Sequence, residues 1–327
     1  MNSFKTRCVV TALCGVGLLA GPGLLQAAPA AASTPAPEAA VAAPLQWTTF
    51  DIRQVSGTRP FVPVRLNGHP LSLMVHSLAS FYMQTTHANA ALAGITPEGE
   101  KRKFGIEAEG KVSELGRQYG RVDTLTVGND VVRDKRIEIF EVPQENEDGK
   151  PNDGMLGALW LRDRGLIIDY GRQRLAIPAT GDAAEAFDAS LVKAGYSKHT
   201  MQWDAQKQVY HLAASINGVP ANVLVSTVAG DVVDLTFKDK YRLKLKASAD
   251  VQDGPAGAVV PVFDVVGKTT TLLDGKRLRE VPLRAWDRNV YSSSEASAPR
   301  YDGVIASGLM FKNAAVIDFK TGHIFFK

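Results

Sequence analysis

Two halves of this 327-residue chain carry the same sequence blocks in the same order. Blocks that recur at a fixed spacing indicate a duplicated structural unit. The first two pairs of blocks are 150 residues apart and the last two are 149 apart: 66–70 (LNGHP) with 216–220 (INGVP), 73–79 (LMVHSLA) with 223–229 (VLVSTVA), 153–156 (DGML) with 302–305 (DGVI), and 167–170 (IIDY) with 316–319 (VIDF). The sequence therefore predicts two homologous lobes, over about 46–180 and about 201–327.

Each predicted lobe has the residue pattern of β-structure. An Asn-Gly pair separates two apolar runs at 67–68 in the first lobe and at 217–218 in the second. This dipeptide between apolar runs is a strong signal for a β-hairpin. A second hairpin is expected in the first lobe, where a Gly-Asn pair at 128–129 separates the runs 122–127 and 131–142. The predicted fold class is therefore all-β (mainly β) and bilobal.

A short helix is expected between the lobes, within a linker over about 181–200. Asp182 is a candidate N-cap residue, and Glu185 follows it three residues later, as in a capping box. Gly195 follows Ala194 and is a typical residue just past a helix end.

The first 30 residues have the layout of a secretory signal peptide. Lys5 and Arg7 form a short basic head, residues 8–25 are almost wholly apolar or glycine, and small residues precede a cleavage site near Ala30. Residues 31–45, rich in Ala and Pro, are typical of a flexible linker. We therefore expect a periplasmic or secreted protein that does not insert into the membrane after the signal is removed.

Composition and charge exclude several classes of protein. Both cysteines, Cys8 and Cys14, precede the expected cleavage site, so a disulfide scaffold and a cysteine-based zinc site are excluded from the body of the chain. Removal of residues 1–30 leaves 35 basic and 34 acidic residues, a net charge of +1. This balance gives no reason to expect a nucleic-acid partner. Lysines alternate with apolar residues over 240–246, which favours a solvated strand face over a polyanion site.

Signatures of a metal or cofactor site are also lacking. His69, His76 and His87 do not have the short spacing of a typical zinc site, and we expect ordinary core or surface histidines. The chain has no Gly-x-Ser-x-Gly elbow and no phosphate-binding Gly-Lys-Ser or Gly-Lys-Thr loop. The sequence therefore predicts neither a metal nor a cofactor.

The order of the repeated blocks resembles one lobe of the retropepsin-like and pepsin-like aspartic proteases. Each half has an Asn-Gly hairpin, an apolar strand that ends in a three-residue loop, an Asp-Gly-apolar-apolar block and an apolar-Asp-aromatic strand. The resemblance extends from about Thr48 to Phe326 and implies two tandem retropepsin-like lobes. It also implies that the three-residue loops of the two lobes meet, as in the family.

The two loops depart from the family pattern at the residues that carry its chemistry. The family has Asp-Thr-Gly in each loop, and its two carboxylates share one proton and activate a water molecule. The loops of this chain are His76-Ser77-Leu78 and Ser226-Thr227-Val228, so both catalytic Asp positions are replaced. The hydroxyl at the middle position, which the family uses to lock the loops together, is kept. We therefore expect the fold without aspartic-protease activity, since general acid–base catalysis has lost both groups.

A different reaction at the same positions is an alternative. If the lobes pair as the resemblance implies, His76 and Ser226 face each other, and a histidine beside a serine can form a nucleophilic dyad. No oxyanion donors and no carboxylate to orient the histidine are evident from the sequence. A structural hydrogen bond between His76 and Ser226 is the preferred interpretation.

The function predicted from the sequence is a non-catalytic pseudo-protease of the cell envelope that binds an extended polypeptide or an envelope protein. All six loop residues are expected to line its cleft, under flaps near 104–119 and 251–262. The alternatives are an active hydrolase that uses His76 and Ser226, and a structural envelope protein. The oligomeric state stays open, as does pairing of the lobes within one chain or between two chains.

Overall fold

β-Strands make up about half of the residues that the structure describes. The computed structural model describes residues 44–54, 58–102, 114–141, 152–228, 230–253, 259–288 and 301–327. The predicted signal peptide and nearly all of the predicted linker over 31–45 lie outside these residues. None of the helices in the described part of the chain is long and apolar enough to cross a membrane.

In its described residues, the first lobe consists of strands of 3 to 11 residues with two small helices. Its elements in chain order are β1 (Trp47–Thr49), β2 (Asp51–Gln54), β3 (Thr58–Leu66), β4 (His69–His76), β5 (Met83–Thr85), α1 (His87–Leu92), β6 (Glu98–Arg102), β7 (Arg117–Val127), β8 (Asp130–Ile139), β9 (Gly154–Gly157), α2 (Ala158–Arg164), β10 (Ile167–Asp169) and β11 (Arg174–Ala176). The predicted hairpins at the two turns, 67–68 and 128–129, are confirmed as β3–β4 and β7–β8.

A helix and a second set of strands follow. These elements are α3 (Gly181–Lys193), β12 (Ser197–Thr200), β13 (Gln202–Asp204), β14 (Val209–Ile216), β15 (Val219–Val225), β16 (Val232–Asp234), β17 (Lys244–Asp253), β18 (Val259–Val266), β19 (Thr271–Leu273), β20 (Lys276–Arg277), β21 (Arg284–Trp286), β22 (Gly303–Ile305), α4 (Ser307–Lys312), β23 (Val316–Asp318) and β24 (His323–Phe326). A 3₁₀ turn at Leu235–Phe237 follows β16. The predicted fold class, mainly β and bilobal with a short linking helix, is confirmed.

The two lobes pair their strands in the same way. In the first lobe β9 lies between β4, to which it is parallel, and β5, to which it is antiparallel. In the second lobe β22 lies in the same manner between β15 and β16. The registers agree as well, because Val75 lies opposite Leu156 and Val225 lies opposite Ile305. The sequence repeat therefore corresponds to a repeat of strand pairing.

A six-stranded sheet joins the lobes, in the order β1-β11-β10-β23-β24-β12. Its central pair is antiparallel and places Ile168 of the first lobe opposite Ile317 of the second. Helix α3 packs against this sheet, where Ala184 and Leu191 are buried in one cluster with residues of both lobes. The largest group of buried apolar side chains also continues through both lobes. The lobes thus share both a sheet and a core.

The linking helix begins earlier than the sequence predicted. The hydroxyl of Thr180 accepts the backbone N–H of Ala183 at 3.2 Å and caps the helix, so the prediction of Asp182 as the cap is wrong. A cap must accept an N–H of the first turn, and Thr180 is the residue placed for that. The predicted end at Gly195 agrees with its φ of 86° and with its N–H donating to Val192 O. Residues 197–200 form β12 and are not helical.

The lysine-rich segment over 240–246 is only partly a strand. The chain turns before β17, because Arg242 has a φ of 53° and the N–H of Leu243 donates to Lys238 O at 2.9 Å. Tyr241 is fully buried within this turn. The prediction of a strand from residue 240 onward is therefore wrong for its first four residues. Period-two alternation of four residues cannot be distinguished from a tight turn that buries one aromatic side chain.

We predict that Gly154→Ala destabilises the protein by roughly 1–3 kcal/mol, the usual range for overpacking. Gly154 has a φ of 139°, and a Cβ atom there would lie 2.2 Å from Gln84 O. Denaturant unfolding of the two proteins measures the difference. Gly181→Ala is the matched control, because a Cβ at that position has no neighbour within 4 Å. A change in the free energy of unfolding that is equal for the two variants would contradict the prediction.

Candidate functional site

The two three-residue loops of the sequence repeat meet at the junction of the lobes. His76 ends β4 and Ser226 follows β15, the equivalent strand of the second lobe. Ser77, Ser226 and Thr227 have no exposed surface, and Val228 is 2% exposed. Of the six predicted site residues, only His76 and Leu78 keep a partly exposed side chain. The structure thus brings the six residues together and leaves two of them in contact with solvent.

The middle residues of the loops lock the lobes together with four hydrogen bonds. Ser77 Oγ donates to Val225 O at 2.7 Å and accepts the N–H of Thr227 at 3.0 Å. Thr227 Oγ1 donates to Val75 O at 2.6 Å and accepts the N–H of Ser77 at 2.9 Å. Each hydroxyl therefore reaches across to the strand and loop of the other lobe. The expectation from the resemblance, that the middle hydroxyls lock the loops, agrees with this geometry.

The side chain of the first residue of each loop forms hydrogen bonds with the backbone of its own loop. His76 Nδ1 accepts the N–H of Leu78 at 3.2 Å, and Ser226 Oγ accepts the N–H of Val228 at 3.2 Å. Ser226 Oγ also donates to Val228 O at 2.6 Å. No hydrogen bond joins His76 to Ser226 within the described part of the chain, so the preferred interpretation of a His–Ser bond is wrong. The two side chains instead satisfy the backbone of two equivalent turns.

The third residue of each loop packs into the opposite lobe. Leu78 of the first lobe lies against a buried cluster of the second lobe that includes Leu224, Tyr301 and Val304. Val228 of the second lobe lies in a cluster of the first lobe with Phe61, Met74, Ala79, Phe140 and Met155. Glycine at these positions would leave that volume open. The apolar side chains fill it and add contacts between the lobes.

The surroundings of His76 keep its ring uncharged. Burial, together with the positive charge of Arg59, lowers the pKa of His76 to about 3. Burial also lowers the pKa of Arg59 to about 10, which leaves the guanidinium charged at neutral pH. The Nδ1 lone pair of the neutral ring is the atom that accepts the N–H of Leu78. Sequence reasoning missed Arg59, because it lies 17 residues before the loop on another strand.

Asp231 is the buried carboxyl group that comes closest in sequence to the second loop, and it holds a helix end. Its Oδ1 accepts the N–H of Ala306 at 2.7 Å, and its Oδ2 accepts the N–H of Leu309 at 3.1 Å. Burial raises the pKa of Asp231 to about 7. In the first lobe, the N–H of Gly157, which is equivalent to that of Ala306, donates to Tyr82 O at 3.0 Å. Asp231 therefore caps α4. Among the described residues, none of the hydrogen bonds made by the six loop residues goes to a carboxylate.

Two contacts missed by sequence reasoning reinforce the junction. The hydroxyl of Tyr170 donates to Thr227 O at 3.1 Å and ties β10 to the second loop. The hydroxyl of Ser307 at the start of α4 donates to Thr58 O at the start of β3. Tyr170 belongs to the repeated block 167–170, but nothing in the sequence marks either residue as a contact at the junction. Their roles follow from the arrangement of the lobes.

The histidines of the first lobe do not form a metal site. His87 Nδ1 lies 3.1 Å from Glu141 Oε1, and no group of three or more His, Cys, Asp or Glu side chains suited to a metal occurs among the described residues.

Asp169 accepts hydrogen bonds from Arg172 and Arg174, and Asp318 accepts the N–H groups of Lys320 and Thr321. These two aspartates hold the ends of β10 and β23.

The predicted flaps correspond to two equivalent hairpins. One contains β6 and β7, and the other contains β17 and β18. The tips of both, residues 103–113 and 254–258, lie outside the described residues. The position of these tips over the loops therefore stays a prediction.

We predict that Thr227→Val lowers the free energy of unfolding by roughly 1–3 kcal/mol for each buried group left unpaired. The substitution keeps the volume but removes the partner of Val75 O and of the Ser77 N–H. Thr227→Ser is the matched control, because it keeps the hydroxyl and loses one methyl group, worth about 0.8 kcal/mol. Denaturant unfolding separates the two. Equal losses for the two variants would show that the hydroxyl does not lock the loops.

No protein-family model matches this chain, and no curated protein matches its sequence. Solved structures that are similar to it include an aspartic proteinase from Irpex lacteus, with 10% identity over 86% of this chain and 96% of that one and a TM-score of 0.47. They also include basic 7S globulin from soybean, with 9% identity over 87% and 95% and a TM-score of 0.40. A third is conglutin gamma, a basic 7S globulin from lupine seeds, with 8% identity over 86% and 95% and a TM-score of 0.45.

Proposed function

We propose that this chain is an exported pseudo-protease that binds an extended polypeptide and does not cleave it by the aspartic-protease reaction. The observation that carries the proposal is the pair of loops at the lobe junction. Their first residues are His76 and Ser226, both committed to hydrogen bonds within their own loops. The reaction of aspartic proteases needs two carboxylates that share a proton.

The chemistry of the loops supports a non-catalytic role. His76 is neutral and its Nδ1 accepts a backbone N–H, while the Ser226 hydroxyl donates to a backbone carbonyl. A nucleophilic dyad requires the serine hydroxyl to donate to the imidazole. The hydrogen bonds of His76 and Ser226 within their own loops therefore argue against the hydrolase alternative. Leu78 and Val228 also occupy the volume next to these groups.

The two equivalent hairpins support recognition of an extended chain. Strand β6 ends the order of the eight-stranded sheet, and β17 ends the order of the ten-stranded sheet. A strand at the end of a sheet presents backbone N–H and C=O groups to which an extended peptide can add. The side chains of β6 are all exposed, so a peptide could approach without displacing a core residue. His76 and Leu78 are the loop residues with surface left for contact with such a peptide.

A role in the cell envelope rests on the predicted signal peptide. Its basic head, apolar core and small residues near Ala30 favour export. An exported binding protein would meet unfolded or extended segments of other envelope proteins, which is the class of partner we propose. A structural envelope protein without affinity for peptides is the alternative that the binding experiment distinguishes.

We predict that the purified protein binds short unstructured peptides mainly through their backbone. N-methylation of alternate amides removes donors without changing the side chains, and it should weaken binding more than tenfold, because several hydrogen bonds of about 0.5–1.5 kcal/mol are lost. Calorimetry with the methylated and unmethylated forms of one peptide measures the ratio. Equal affinities, or no binding across a broad peptide library, would contradict peptide addition to a strand edge.

We also predict that the protein does not cleave unfolded substrates from acid to neutral pH. His76→Ala and Ser226→Ala variants should give the same background as the unchanged protein, because neither side chain is free to act on a substrate. Mass spectrometry of a reduced, unfolded substrate detects cleavage. Cleavage that both variants abolish would establish the hydrolase alternative instead.

A further inference from the structure

Two buried carboxyl groups lie together where helix α3 packs on the six-stranded sheet, away from the loops. Asp188 of α3 is 3% exposed, and Asp318 at the end of β23 has no exposed surface. The helix follows the first lobe in the chain, whereas β23 belongs to the second. The proposed function uses neither residue.

Each of these carboxyl groups has one oxygen that is well hydrogen-bonded. Asp188 Oδ2 accepts the hydroxyl of Thr321 at 2.8 Å and lies 3.0 Å from His323 Nδ1. Asp318 Oδ1 accepts the N–H groups of Lys320 at 2.7 Å and of Thr321 at 3.0 Å. Thr321 therefore bridges the two groups, with its hydroxyl on one and its N–H on the other.

The other oxygen of each group is buried and has no hydrogen-bond partner among the described residues. These atoms are Asp188 Oδ1 and Asp318 Oδ2. An orphaned buried carboxyl oxygen costs free energy, and two of them side by side are satisfied if one proton lies between them. A shared proton also avoids the repulsion of two negative charges in a buried place.

We propose that a proton shared by Asp188 and Asp318 fastens helix α3 to the six-stranded sheet, and that loss of this proton at rising pH loosens the helix. The titratable groups that face the pair are Lys198 of β12, Tyr210 of β14, His323 of β24, and Lys320 in the turn between β23 and β24. Lys198 Nζ lies 4.0 Å from Asp188 Oδ2, so it balances one negative charge at most. Glu185, one turn earlier on the helix, adds a further negative charge.

The titration of Asp318 agrees with this geometry. Burial, together with the neighbouring carboxyl group of Asp188, raises the pKa of Asp318 to about 7. An unfolded or undocked aspartate loses its proton near pH 4. Between about pH 4 and about pH 7, the docked state therefore holds a proton that the undocked state has lost. Docking is therefore strongest in acid, weakens as the pH rises toward 7, and changes little above that.

Loosening this helix would affect both lobes. The apolar face of α3 covers Ile167 of the first lobe together with Val316 and Phe325 of the second. A surface cavity of about 510 Å³ borders Asp188, Lys198 and His323. Protons can therefore exchange with solvent at the edge of the pair without unfolding of the sheet.

Hydrogen exchange of the α3 amides at about pH 5 and about pH 8 tests the proposal, with correction for the intrinsic exchange rate. We expect protection of the helix to fall at least tenfold at the higher pH in the unchanged protein, since one pKa unit corresponds to a factor of ten. Asp188→Asn and Asp318→Asn should abolish this fall, because a neutral amide removes the second charge. Glu185→Gln, which lines the same cavity, is the matched control and should keep it.

Two results would overturn the proposal. One is equal protection of α3 at the two pH values in the unchanged protein, and the other is a fall that persists in the asparagine variants. If those variants do not fold, carboxyl carbon NMR of the unchanged protein decides the matter. A titration midpoint of Asp318 near 7 supports the shared proton, and a midpoint near 4 refutes it.

Discussion

Four hydrogen bonds between Ser77 and Thr227 are the constraint on which the arrangement of this protein depends. Each hydroxyl satisfies a backbone group of the opposite lobe, and all the atoms involved are buried. A buried hydroxyl without such partners would be destabilising, so these two side chains fix the distance and the register of the loops. The flanking residues of each loop are then held in equivalent positions. The junction thus forms with histidine and serine in the first positions of its loops.

The side chains at the junction act on the backbone of the loops and on the packing between the lobes. The hydroxyls at the middle positions bond only to backbone groups, so these hydrogen bonds do not depend on the side chain of the preceding residue. Leu78 of the first lobe packs against the second lobe, and Val228 of the second lobe packs against the first. Both side chains exclude solvent from the volume around the loops. Such a junction gains apolar contacts where an enzyme needs space for water and substrate. Stability and catalysis therefore make opposite demands on the third position of each loop.

The sequence was sufficient to predict the features that depend on local patterns and on the repeat. The Asn-Gly hairpins follow from blocks that occur in both halves, and the pairing of the loops follows from the resemblance that those blocks carry. Features that depend on which surfaces meet were not predicted. The inward turn of His76, the cap at Thr180 and the pair formed by Asp188 and Asp318 each involve a choice between several nearby polar partners. A single sequence without coordinates does not specify that choice.

The six-stranded sheet has a consequence for the order in which the chain folds. Strand β10 is complete after about half of the chain has been synthesised, yet its neighbour β23 and the edge pair β24–β12 need residues close to position 326. Pairing of such distant segments is slow, because a long loop must close before any contact forms. Until those residues are available, the apolar strand β10 of the first lobe therefore lacks its neighbour β23 in the sheet. A chain that crosses a membrane before it folds would expose this edge to chaperones until its last strand emerges.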